Sequence, residues 1–308
     1  MSAAPAIHAE ALSKWFGEVI ALNHMTVNIG WGVTGLLGPN GAGKSTFLKL
    51  LLGLHGPSRG RIAVLGETPR NNLGVLRRLA YCPETDHFFD GMTGLDFVYW
   101  LNRQWGMDAA AARRRAEAAC ERVGMAERMR GRISRYSKGM RQRIKIAQAL
   151  ALPADVLVFD EPMSGLDPQG REEMSALLRG LGDDGKAVII SSHILHEIER
   201  VTDSVVLLHQ GSLLAEGRVR EIRDLIDRRP HTIAVECGDA RTWMARIAQE
   251  PGVLELSLQD SGFTVRTAEP NGCYERLNRM AAEEGAPITG IRCADDNLQA
   301  VFDYLVGR

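Results

Sequence analysis

The sequence predicts an α/β fold: a mainly parallel sheet covered on both faces by helices, followed by a small α+β module. Three observations carry that expectation. Short, almost wholly apolar runs recur at residues 33–37, 156–159, 187–190 and 205–208, the texture of strands buried on both faces. Helical patterns alternate with them: Lys44 to Leu54 carries Phe47, Leu48, Leu51 and Leu52 on one stripe, and Gly170 to Leu181 carries Met174, Leu177, Leu178 and Leu181. After Gly217 the texture changes to shorter, mixed elements.

Between the first two apolar runs the chain becomes helical and more polar. Residues 109–123, AAAARRRAEAACERV, read as a helix and, with the segment up to Arg143, as an insertion into the sheet domain spanning about 88–150. Its Arg113-Arg114-Arg115 run is a solvated helix face and not a nucleic-acid patch. Past Gly217, Val219, Ile222, Leu225 and Ile226 form an amphipathic turn ended by Arg228-Arg229-Pro230. Strand (231–237), helix (240–249), strand (253–258), strand (263–267), helix (272–284) and strand (287–292) follow. That β-α-β-β-α-β order predicts a ferredoxin-like module. A last helix sets Leu298, Val301, Phe302 and Leu305 at i, i+3, i+4 and i+7, a docking face. The expected domains are therefore 1–217 and 218–308.

Chemistry concentrates at two strand ends. Gly38-Pro39-Asn40-Gly41-Ala42-Gly43-Lys44-Ser45-Thr46 satisfies G-x-x-x-x-G-K-[ST], following a buried strand and opening a helix. Glycines let such a loop wrap phosphates, and its backbone N–H groups converge at the positive end of the helix. Lys44 can reach the β- and γ-phosphates, and the Ser45 hydroxyl can ligate Mg²⁺. The run 156–159 delivers Asp160 to a strand's carboxyl end, where it can hold the metal's water shell; adjacent Glu161 can take a proton from an attacking water.

The two motifs resemble the Walker A and Walker B motifs of the ATP-binding cassette (ABC) ATPases. Between them, Tyr136-Ser137-Lys138-Gly139-Met140-Arg141-Gln142-Arg143 resembles the ABC signature. Ser164-Gly165-Leu166-Asp167-Pro168 resembles the D-loop, Ile190-Ser191-Ser192-His193 the switch-histidine segment, and Lys14-Trp15-Phe16-Gly17 the aromatic A-loop. The resemblance covers about 1–217. It implies a P-loop NTPase of the ABC type with a helical signature subdomain, ATP and Mg²⁺ as cofactors, and a dimer, with itself or a homologous subunit, that sandwiches two ATPs head to tail. Phe16 would stack on adenine, with Trp15 beside it as the alternative; His193 would sense the γ-phosphate. Ser137, Lys138, Gly139 and Met140 would close on the neighbouring chain's ATP. Ser137 precedes a helix, so a hydroxyl, amides and a dipole converge on an anion a second time.

This chain departs from the family pattern in two places. The Q-loop glutamine is replaced in Tyr81-Cys82-Pro83-Glu84-Thr85, where Glu84 can ligate Mg²⁺ or orient water but offers no amide donor. The signature has Lys138 for glycine and Met140 for glutamine. Both departures, and the ending Asp296-Asn297-Leu298-Gln299-Ala300-Val301-Phe302, resemble ABC-2-type exporter ATPases. The segment His87-Phe88-Phe89-Asp90-Gly91-Met92-Thr93 would receive a membrane permease's cytoplasmic helix, unless its aromatics are ordinary core.

Composition sets the remaining bounds. A net charge of −1 gives no general attraction for nucleic acid or anionic lipid. Five scattered cysteines with no C-x-x-C spacing argue against a disulfide framework or zinc site. No run approaches the ~20 apolar residues of a membrane span, and residues 1–16 lack the pattern of a secretory signal. The expected location is cytoplasmic, peripheral to the inner face of the membrane through the permease. Competing readings are a soluble ABC ATPase acting on ribosomes or DNA, which one cassette without sustained heptads disfavours, and an ATP-binding regulatory module, which Glu161 and His193 disfavour. Cargo, transport direction, homo- or heterodimer and the role of 218–308 are not legible.

Overall fold

A computed structural model describes residues 4–89, 91–219, 230–283 and 285–293 of the 308. The chain divides into two compact units, Met1–Val219 and Arg220–Arg308. Most of the expected turn after Val219, the last helix and the 296–302 ending lie outside the described residues.

The first unit opens with β1 (Ile7–Phe16) and β2 (Val19–Ile29), which pair antiparallel; β4 (Arg59–Val64) joins the other edge of β1, giving the order β2-β1-β4. A larger sheet has the order β5-β6-β7-β3-β8-β9, formed by β5 (Leu79–Cys82), β6 (Val156–Asp160), β7 (Ala187–Ser192), β3 (Gly32–Leu37), β8 (Ser204–His209) and β9 (Ser212–Arg218). All of its pairs are parallel except β8 with β9. Strands β6 and β7 are buried at every position, as apolar runs between two layers require. Helix α1 (Lys44–Leu51) follows β3, and a short α2 (Leu73–Leu76) precedes β5.

The inserted region holds α3 (Gly94–Gln104), α4 (Ala109–Arg122) and α5 (Lys138–Leu150), packed on one another. Helix α4 buries Ala112, Ala116, Ala119 and Cys120, so a stripe of small residues lets its neighbours approach. Helices α6 (Pro168–Asp183) and α7 (Leu195–Glu199) flank β7. Among the described residues no helix is long and apolar enough to cross a membrane.

The second unit contains β10 (His231–Cys237), α8 (Ala240–Ile247), β11 (Val253–Gln259), β12 (Gly262–Thr267), α9 (Pro270–Glu283) and β13 (Ile288–Cys293). The sheet order β11-β12-β10-β13 is antiparallel throughout, the arrangement of a ferredoxin-like split βαβ. Its core gathers Ile233, Val235, Phe263 and Val265 from the sheet with Ile247, Leu277 and Met280 from the helices.

Phe47 is fully buried between α1 and the sheets. Phe47→Ala should cost about 3–5 kcal/mol of stability, read as a lower denaturant midpoint for the first unit. An unchanged midpoint would contradict this account of the core.

Candidate functional site

Strand β3 ends at Leu37, and the chain turns through residues 38–43 into α1. Gly41 and Gly43 have φ of 80° and 102°, where glycine alone carries no steric cost. A Cβ on Gly43 would lie 2.7 Å from the Ala21 carbonyl oxygen, so the loop runs tightly beside β2. Thr93, Asp108, Ser137 and Asp167 cap α3, α4, α5 and α6 with their side chains. Helix α1 has no side-chain cap. Its first amides, at the positive end of the helix dipole, are arranged for an external anion.

Lys44 is buried beneath this loop, and its Nζ donates to the Gly38 carbonyl at 2.5 Å and the Pro39 carbonyl at 3.3 Å. Burial pushes its pKa below the usual lysine range, while Glu161, Asp160 and Glu84 pull it back up. The ammonium therefore sits in a field made by three carboxylates.

Those carboxylates come from two strand ends. The parallel register of β6 and β7 sets Asp160 opposite Ser191. The Ser191 hydroxyl donates to Asp160 Oδ1 at 2.5 Å and accepts the Glu161 N–H at 2.9 Å. The Tyr81 hydroxyl donates to Asp160 Oδ2 at 3.4 Å; burial and then the Asp160 charge raise its pKa and keep it a neutral donor. Glu161 has φ of 50°, a left-handed conformation costing a non-glycine residue of order 1–3 kcal/mol and typical of functional sites. Gln142 of α5 donates to the Pro162 carbonyl at 3.0 Å and reaches the Glu161 carbonyl at 3.5 Å. The Glu161 carboxyl meets His193 Nδ1 at 3.0 Å. Burial raises its pKa above the usual 4.5, and the His193 hydrogen bond works against that rise.

A cleft of about 350 Å³ lies over these groups. Residues 39–46, Glu84, Asp160, Glu161, Ser164 and His193 line it, with Val19, Ile20 and Ala21 at one side. Gly38 lies beneath the loop, where a Cβ would meet the Leu208 carbonyl at 2.5 Å.

Other expected site residues fall outside the cleft wall. The Phe16 ring stands edge-on to His55 at 5.4 Å, with the Lys14 ammonium 5.0 Å from its centre. Val19–Ala21 of the adjoining hairpin form that side of the wall. Ser137 caps α5 by accepting the Met140 N–H at 3.2 Å, leaving its hydroxyl proton free to donate. The Lys138 stem lies across Gly165, and Gly139 packs on the Gly165 carbonyl. Asp167 caps α6 by accepting the Gly170 N–H, and Leu166 is buried. The 137–140 and 164–167 segments therefore lie against each other. Of the aromatics at 87–93, Phe88 packs on Phe97 while Phe89 is 64% exposed, so the segment divides between core and surface.

Sequence reading missed Ser191, Gln142, Tyr81 and the 19–21 wall. The motif tyrosine and the strand-end serine were visible, but only the pairing of β6 with β5 on one side and β7 on the other assigns them to Asp160.

A carboxyl whose pKa is raised on folding binds its proton more tightly folded than unfolded. Its contribution to stability therefore falls as pH rises from the unfolded value near 4.5 through the folded one. Glu161→Gln removes that cost, so the variant should melt above the wild type at neutral pH and the gap should close on acidification. Melting curves across that range check it; a gap that widens at low pH would contradict it.

Comparison with known proteins places this geometry in a family. A family model described as ABC transporter matches residues 22–164. The chain is 31% identical to a bacitracin transport ATP-binding protein from Enterococcus faecalis, over 98% of this chain and 96% of that protein. It is 33% identical to a Nod factor export ATP-binding protein from Ralstonia nicotianae, over 99% and 94%. A bacterial ABC transporter cassette solved as a dimer superposes with a TM-score of 0.62 at 25% identity, over 70% of this chain and 99% of that one.

Proposed function

The chain belongs to the ABC transporter family as an ATP-binding protein, and from that premise we propose that it is the motor subunit of an ABC-2-type exporter. Like its family, it is an ATPase. In the proposed machine two copies, or this chain and a homologous one, close on two ATP molecules and drive a separate membrane permease. One observation carries the reading. The loop at Lys44 and its carboxylates share a cleft, whereas the second anion-type segment, 137–140, is on the surface outside it. Two phosphate-binding halves that do not meet within one chain are completed by a partner's opposite half. The dimeric cassette and the two relatives named for bacitracin transport and Nod factor export support this reading. The proposed location is the inner face of the cell membrane, held there by the permease.

Within each site, the amides of residues 41–46 and Lys44 hold the β- and γ-phosphates. Lys44 exchanges the Gly38 and Pro39 carbonyls for phosphate oxygens. Ser45, Asp160 and Glu84 bring only oxygen donors to the cleft, a set that would suit Mg²⁺, which when bound would neutralise charge on the phosphates. Glu161, its carboxylate orientated by His193 and its backbone by Ser191, takes the proton of the attacking water. The partner's Ser137–Met140 segment closes over the γ-phosphate, and Gly165 and Asp167 adjoin it. Phe16 or its neighbour Trp15 stacks on the base beyond the Val19–Ala21 wall.

Glu161→Gln should retain ATP binding, lose about 10²–10⁴-fold in turnover and elute as a dimer with ATP on size exclusion. Near wild-type turnover would contradict the base role. Lys44→Ala should bind ATP at least about tenfold more weakly, since a charge-assisted contact to phosphate is lost; titration with a fluorescent ATP analogue reads this. Unchanged affinity would contradict the phosphate role.

A further inference from the structure

An ammonium in a protein interior must replace its lost hydration with hydrogen bonds or a counter-charge. Lys145, in the middle of α5, is 4% exposed. Its Nζ donates to the Glu84 main-chain carbonyl at 2.6 Å and lies 3.0 Å from Asp86 Oδ1. One turn further, Gln148 donates to the Tyr81 carbonyl at 2.7 Å. One turn earlier, Gln142 donates to the Pro162 carbonyl. Residues three apart share a helix face, so one face of α5 grips both the 81–86 segment and the turn after Asp160. The same helix begins with Lys138, Gly139 and Met140 and is capped by Ser137.

We propose that Lys145 is a positioning residue for hydrolysis, tethering the Glu84 main chain to α5 so that the Glu84 carboxylate faces the cleft in register with residues 137–140. This rests on the reading that Glu84 acts at the phosphate end of the cleft. The Glu84 carboxylate is not what Lys145 holds. The ammonium takes the Glu84 carbonyl and the Asp86 carboxylate, which leaves the Glu84 side chain directed at the cleft, whose wall it joins. The acidic segment 84–86 is thus fixed by a buried cation through charge-assisted bonds. The phosphate loop itself makes no contact with Lys145 among the bonds described, so the tether acts on turnover and not on ATP affinity.

Hydrogen exchange and steady-state ATPase kinetics on the full chain test this. In Lys145→Met, amide exchange in residues 83–89 should rise about tenfold, because opening a local segment costs less without its anchor. Its kcat should fall about tenfold with the KM for ATP held within about twofold. Lys145→Arg, which keeps a cation and donors, should recover most of both. Asp86→Asn should shift both in the same direction by less, and serves if Lys145→Met does not fold. Unchanged exchange in the folded variants would overturn the tether. Raised exchange with wild-type kcat would overturn its part in hydrolysis. Wild-type kcat in Glu84→Ala would remove the reading of Glu84 beneath it, and the exchange measurement would still decide the tether by itself.

Discussion

One hydroxyl organises the site. Ser191 donates to Asp160 and accepts the Glu161 N–H, so it fixes a carboxylate and the peptide that follows it at the end of β6. That peptide is in the left-handed region, and such a conformation persists only where its surroundings over-determine it. Ser191 supplies one constraint, Gln142 another, and His193 a third through the carboxylate. The hydroxyl can do this because β6 and β7 run parallel with Asp160 opposite Ser191. The register, in turn, is held by two strands with no exposed face. A buried sheet therefore serves as the ruler for chemistry at its edge.

The helices divide into two kinds by how their N-termini are satisfied. In the first unit α2 to α6 are closed by side-chain caps, whereas α1 and α7 have none, and α1 is the one that opens from the glycine loop at Lys44. Helix α5 belongs to both kinds: Ser137 caps it, yet still has a proton to donate. That dual character agrees with a segment that is ordered before a partner arrives and binds when it does. Gln142, Lys145 and Gln148 tie the same helix to the turn after Asp160 and to the 81–86 segment, so the surface segment shares one helix with contacts to both acidic regions of the cleft.

Much of this was legible in the sequence, for physical reasons that differ from element to element. Unbroken apolar runs exposed β3, β6, β7 and β8, and turn chemistry with alternating elements exposed the β-α-β-β-α-β order of the second unit. The three-stranded sheet β2-β1-β4 was not foreseen. Bulges in β1 break its alternation between Ala9 and Leu12, where Ala11 has φ of 47°, and β4 pairs from beyond α1. The loop at Lys44 and the Asp160-Glu161 pair announce themselves because each motif is local. Ser191, Tyr81 and Lys145 do not, since each acts across a sheet pairing or a helix packing that no spacing in the chain encodes. Phe16 has a local motif too, and its ring contacts Lys14 and His55, while Val19, Ile20 and Ala21 of the same hairpin line the cleft, which no spacing announces.

The central claim is that a working site takes its phosphate loop from one chain and its 137–140 segment from another. Complementation tests it most directly: Lys44→Ala and Ser137→Arg are purified separately, each nearly inactive, and then mixed with ATP. In the mixed dimer one site receives both lesions and the other receives neither. The account predicts that hydrolysis reappears on mixing and tracks formation of the mixed dimer. Activity that remains at the sum of the two separate variants would contradict it.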